Sequence, residues 1–381
     1  MKAIISFLVT IVLVVALSYA FSGIIFAGEK KETSLKELTV SSEMTVRDFI
    51  SANSLERPFA KQLLGLSSPA DLDKSLNEFG TPEQINKKYL SMTALKTEEQ
   101  SKNWIKIPLK FALWAAFLIY MFVVLKKGGV TAAKRKWLYA LSFAVFGVIL
   151  GSDPGPMGTV KDAVYLYGKA GVIFPPRLVA MSVFLLTVFL ANKFICSWGC
   201  QSGTLQDFIF RLGRNGKDTG SGSVKQFRMP FAFTNSVRAL VFIAMFVTAF
   251  AYAYDLFSAI DPFRIFKPAA LGVSGAVFVG GVMLLSLFTY RPWCLLFCPF
   301  GFLGWIVEKA SLYRIKVNYD SCIACGKCSE SCPSTVMDAI LKQDRKTIPD
   351  CFSCGVCVET CPTGSVSFAR GRSANVPEGK F

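Results

Sequence analysis

The chain has 381 residues, a formal net charge of +16 and 52% apolar residues, with a mean hydropathy of +0.44; this exceeds an ordinary water-soluble composition and calls for several membrane spans. It contains no histidine, which excludes histidine-ligated haem, a Rieske centre, a histidine zinc site and histidine acid–base catalysis. The surplus basic residues sit in short loops beside apolar runs, without any nucleic-acid-binding signature, so they read as a membrane-topology signal and not as a nucleic-acid surface.

Residues 1–28 read as a membrane anchor. The apolar run from Ala3 to Gly28 is longer than the core of a secretory signal, and Ile25-Phe26-Ala27 is a poor cleavage site; a cleaved signal is the alternative. Residues 29–102 are polar and charge-balanced. Thr45 to Asp48 and Thr81-Pro82-Glu83-Gln84 carry helix-start chemistry, while Phe49, Ile50, Phe59, Leu63, Leu64 and Leu66 supply a small apolar face. A compact helical module for docking or spacing is expected there.

Five further apolar stretches, at 105–125, 137–151, 178–194, 239–257 and 269–290, bring the expected spans to six, in a membrane domain over 103–310. One short loop holds Lys126, Lys127, Lys134, Arg135 and Lys136. The loop from Lys193 to Arg238 adds Arg211, Arg214, Lys217, Lys225 and Arg228. An excess of positive charge places both loops in the cytoplasm. Both chain ends then lie inside a bacterial-type cytoplasmic membrane, and 29–102 lies outside. The Gly/Ser-rich stretch 211–228 reads as a flexible linker.

All twelve cysteines follow residue 195. The first four form two copies of one pattern, C-x3-C-x2-G-x-L. Cys196, Cys200, Gly203 and Leu205 match Cys294, Cys298, Gly301 and Leu303. Each copy follows a span and is preceded by an Asp-Pro, at Asp153-Pro154 and Asp261-Pro262. Two parallel hairpins related by an axis along the membrane normal are expected, which would gather the four cysteines. Cysteines at i and i+4 would share one helix face. Four thiolates suit a further iron–sulfur cluster, zinc or a dithiol; ordinary small buried residues are the plain alternative.

The remaining eight cysteines spell C-x2-C-x2-C-x3-C-P twice, from Cys322 to Pro333 and from Cys351 to Pro362. Three cysteines at such intervals wrap one corner of a cubane, Gly326 and Gly355 allow the turns, and the fourth cysteine serves the other cluster. Cys322, Cys325, Cys328 and Cys361 are therefore assigned to one 4Fe–4S cluster, and Cys332, Cys351, Cys354 and Cys357 to a second. Zinc ribbons or a disulfide knot are the alternatives.

This segment resembles a two-cluster bacterial ferredoxin. Together with the paired C-x3-C motifs, residues 137–362 resemble the membrane polyferredoxin family typified by NapH, the membrane half of NosR, and CcoG. Gln201 follows Cys200 where Pro299 follows Cys298, and 29–102 is unlike the flavin-binding domain of NosR. The expected fold is mainly α: a polytopic bundle of about six spans, an outer helical module, an α+β ferredoxin-like domain over 311–370 and a flexible tail over 371–381. The resemblance implies electron transfer between the quinone pool or cytoplasm and an outer-side redox partner that carries flavin or haem. Assembly of another metalloenzyme, by reduction of a metal or thiols, and redox sensing are the competing roles. No nucleotide fingerprint or substrate-pocket motif marks a self-contained enzyme with catalytic residues of its own.

Overall fold

The structure, a computed structural model, describes residues 2–25, 38–41, 44–334, 336–343 and 350–381. Among these, three helices are long and apolar enough to cross a membrane by length and composition: Lys2–Phe21 within Lys2–Ile25, Lys106–Lys126 and Phe231–Tyr252. Their outer faces are apolar too. Ile4, Leu8 and Val12, then Leu113, Ile119 and Val123, then Leu240, Ile243 and Val247 are exposed. A helix with no polar side has no surface for water and fits a lipid environment. The possible cleavage site at Ile25-Phe26-Ala27 runs outside the described residues.

The other expected spans are shorter than the roughly 20 residues a bilayer needs. Pro175–Ala191 and Val273–Leu285 are apolar helices of 17 and 13 residues. The first opens on a Pro pair and ends where Asn192 takes a positive φ. The stretch expected at 137–151 is Ala132–Phe143 followed by a π-helical turn, Ala144–Ile149. Among the described residues, three helices therefore have the length and apolarity of a span, where six spans were expected.

The module between the first two long helices consists of Val46–Ala52, Arg57–Leu64, two 3-10 turns and Pro82–Gln100. Both expected caps form: the Thr45 side chain accepts from the Asp48 N–H, and Thr81 and Gln84 close a reciprocal capping box. Phe49, Leu63, Leu76 and Ile85 fill its core. It rests on the helix Pro156–Ala170, where the Ser91 hydroxyl donates to the Ala170 carbonyl at 2.8 Å.

The C-terminal domain pairs the antiparallel strands Tyr313–Val317 and Val366–Arg370, with Ile315 opposite Phe368. Ile315, Val317, Val366 and Phe368 point inward by period-2 alternation. This face joins Met121, Leu125, Tyr139, Phe194 and Trp198 of the helical part in one core. The domain is thus packed onto the helices.

Two stretches expected to be flexible make specific contacts. Residues 211–228 are held by a buried ion network: Asp218 is fully buried and pairs with Arg135 at 2.7 Å, Arg214 at 2.6 Å and Arg211. Arg214 also donates to the Ser331 carbonyl at 2.9 Å. Buried charges occur only where partners satisfy them, so composition alone misread this loop. Residues 371–381 lie on the ferredoxin-like domain: the Ser373 hydroxyl accepts from the Val317 N–H at 3.0 Å, and the Phe381 ring meets Tyr319.

Candidate metal centres

The two C-terminal motifs fold alike. Ala324 and Ser353 stand at φ 53° and 52°, and the glycines after the second cysteine, Gly326 and Gly355, at 72° and 78°. A left-handed alanine or serine is costly, so both loops are forced into one shape that the surrounding contacts hold. In each motif a short helix follows, Lys327–Ser331 or Val356–Thr360, and turns its last cysteine toward the other loop.

Two separate voids result. Cys322, Cys325, Cys328 and Cys361 line one. Cys332, Cys351, Cys354 and Cys357 line the other. Each void draws three cysteines from one motif and the fourth from the other. Among the described residues, no three Cys, Asp or Glu side chains are grouped tightly enough for a single metal ion; zinc bonds of about 2.3 Å would hold thiolates about 3.8 Å apart. Four thiols lining one void, three from one motif and one from the other, suit the multi-atom cage of an iron–sulfur cluster. Burial pushes the Cys328 thiol up to about 11. Burial also raises Cys361, but hydrogen bonds from the Thr363 hydroxyl and the N–H groups of Val366, Thr363 and Ser365 outweigh it and hold that thiol below its ordinary value.

Cys196, Cys200, Cys294 and Cys298 are all buried in one core at the ends of the helices Pro175–Ala191 and Val273–Leu285. The pairs do not share a helix face as expected. Cys196 and Cys294 lie on the five-residue helices Phe194–Trp198 and Pro292–Leu296, whereas Cys200 and Cys298 cap the next helices, Gln201–Leu212 and Pro299–Glu308. A helix start favours a thiolate, and the Cys298 sulfur accepts from the Gly301 N–H at 3.3 Å.

The glycine of the pattern has a steric reason. A Cβ on Gly203 would stand 2.6 Å from the Cys196 carbonyl oxygen, and one on Gly301 would stand 2.8 Å from that of Cys294. An arginine completes each copy. Arg291 donates to the Cys196 carbonyl at 2.6 Å and pairs with Asp207 at 2.6 Å. Arg238 reaches the Cys294 carbonyl at 3.4 Å and Asp350 at 2.9 Å. Lys193 also pairs with Asp350.

Arg211 and Arg214 were counted above as loop charge, and Lys193 and Arg238 bound that loop. They are instead buried and paired. Sequence reasoning missed this role because their partners are distant in the chain; the available signal was Arg238 inside an apolar run, since an ionisable residue there marks a site. The two Asp-Pro aspartates, Asp153 and Asp261, line one open cavity with Glu98, Lys161 and Arg177.

The comparisons with known proteins match these sites. The 4Fe-4S dicluster domain family matches residues 314–362, which hold both voids. A second family, the 4Fe-4S binding domain, matches twice, over 173–218 and 271–318, and each match contains one C-x3-C motif. The chain therefore carries ferredoxin-type 4Fe–4S domains. Among named relatives, it is 29% identical over 186 residues to YccM of Escherichia coli K12, named as an electron transport protein. That alignment covers 44% of this chain and 49% of the relative, so the chain spans about half the length of the protein it matches. No solved structure matches.

Proposed function

We propose that this chain is a membrane-bound iron–sulfur electron-transfer protein. Cys322, Cys325, Cys328 and Cys361 hold one 4Fe–4S cluster, and Cys332, Cys351, Cys354 and Cys357 hold a second. Cys196, Cys200, Cys294 and Cys298 hold a further cluster. A bound cluster supplies a centre that accepts or gives one electron; the chain supplies thiolates, a buried setting and a fixed spacing. The observation that carries this reading is the pair of voids, each lined by three cysteines of one motif and one of the other.

The wider role follows the resemblance to NapH, NosR and CcoG. The ferredoxin-like domain faces the cytoplasm and the module at 29–102 faces outward, in a bundle of about six spans that counts the shorter apolar helices. Electrons pass between the clusters or the quinone pool and an outer-side redox protein, for which the cavity at Asp153 and Asp261 offers an approach. Protein purified anaerobically should hold at least eight irons per chain. Fewer than four after reconstitution, or zinc in their place, contradicts the cluster reading. A deletion strain that respires normally but fails to mature one metalloenzyme would favour the assembly role.

A further inference from the structure

The two voids of the C-terminal domain face different ways. Around the first, Cys325 is exposed, Ile323 is 63% exposed, and Cys322 and Cys361 are half-buried. The hydrogen bonds of the adjoining Asp320 and Ser321 stay within the domain, to Asn318 and Ser365. The loop of the second void is pressed into the helical part. The Cys351 N–H donates to Glu308 at 2.7 Å, the Trp198 indole donates to the Ser353 carbonyl at 3.2 Å, and Arg135 donates to the Cys354 carbonyl at 2.9 Å.

The second position of each motif makes the contrast sharp. Ile323 and Phe352 are equivalent, yet Phe352 is only 2% exposed and belongs to the same core as Cys196, Cys200, Cys294 and Cys298. Its ring meets Tyr290 edge-on at 5.7 Å and takes Arg291 on its face at 4.8 Å and Lys193 at 5.1 Å. Arg291 in turn holds the Cys196 carbonyl. Trp198 joins the two sites a second way, since it stands between Cys196 and Cys200 in the chain and is bonded to the loop of Cys351.

We propose that Phe352 and Trp198 are positioning residues that bridge the Cys332/Cys351/Cys354/Cys357 site and the four-cysteine site of the helices, so that electrons travel in one line. The port is the exposed edge at Cys325, the junction is the second void, and the inner end is Cys196, Cys200, Cys294 and Cys298. This rests on the cluster reading above. A soluble one-electron carrier protein loses one electron, one electron appears at the inner end, and no bond forms or breaks. Electron transfer weakens steeply with the gap to be crossed, so a packed ring between two sites is worth more than a void.

The test uses the full, iron-loaded chain, mixed rapidly with a pre-reduced small bacterial ferredoxin and followed by freeze-quench EPR. Reduction should reach the sites in the order port, junction, inner end. Phe352→Leu should keep the iron content and the reduction rate of the port but lose the fast phase at the inner end. Simultaneous arrival at all sites, or an unchanged fast phase in Phe352→Leu, overturns the proposal. Should Phe352→Leu lose iron, spin–spin coupling in the unsubstituted chain decides the matter. Coupling between port and junction and between junction and inner end is expected, and direct coupling of port to inner end overturns the line. A chain short of iron would instead overturn the cluster reading itself.

Discussion

Gly203 and Gly301 show how tightly single residues shape the inner site. With a Cβ only 2.6 Å from the Cys196 carbonyl or 2.8 Å from the Cys294 carbonyl, an alanine at either position must push away the backbone that carries a cysteine. Gly203→Ala or Gly301→Ala should therefore lower the iron proposed for Cys196, Cys200, Cys294 and Cys298 while the iron proposed for the ferredoxin-like domain is retained. Iron analysis with EPR checks this, and an unchanged inner-site signal in both variants contradicts it. The pattern C-x3-C-x2-G was legible in the sequence because all of its members lie within eight residues. The arginines were not, because Arg291 and Asp207 lie 84 residues apart and only the fold joins them. Breaking such a buried pair costs about 3–5 kcal/mol; Arg291–Asp207 ties two parts of the helical bundle together, and Arg238–Asp350 ties the bundle to the C-terminal domain.

Local chemistry made the helix starts of the module between the first two long helices readable: the caps at Thr45 and Thr81 form as their sequences imply. Span lengths were less readable. Hydropathy finds apolar runs but not the backbone turns that end them, such as Asn192 after Pro175–Ala191 or the π-helical turn after Phe143. Loop charge was misleading for a similar reason, since several of the basic residues are spent on buried carboxylates and not on the aqueous phase. Lys126, Lys127, Lys134 and Lys136 still leave the loop after the second long helix basic, and they carry the proposed orientation. A reporter fused after Phe381 should be active only in its cytoplasmic form; activity of an exported reporter there would reverse the placement of both domains.

At the scale of the whole molecule, the two cysteine-lined voids of the C-terminal domain and the four buried cysteines of the helices belong to adjoining cores. The ferredoxin-like domain shares its core with the helices, and its second loop is tied to them through Glu308, Trp198 and Arg135. Such docking suits a fixed relay, because spacing held by packing does not drift as it would on a tether. The central claim is that the two C-x3-C motifs build one shared iron–sulfur site beneath the helices. The direct measurement is the iron content and EPR spectrum of two paired variants, Cys196→Ser with Cys200→Ser and Cys294→Ser with Cys298→Ser. Both should lose the same iron and the same spectral feature, with the two clusters of the C-terminal domain retained. Loss of one pair with no change in iron or spectrum would contradict the account.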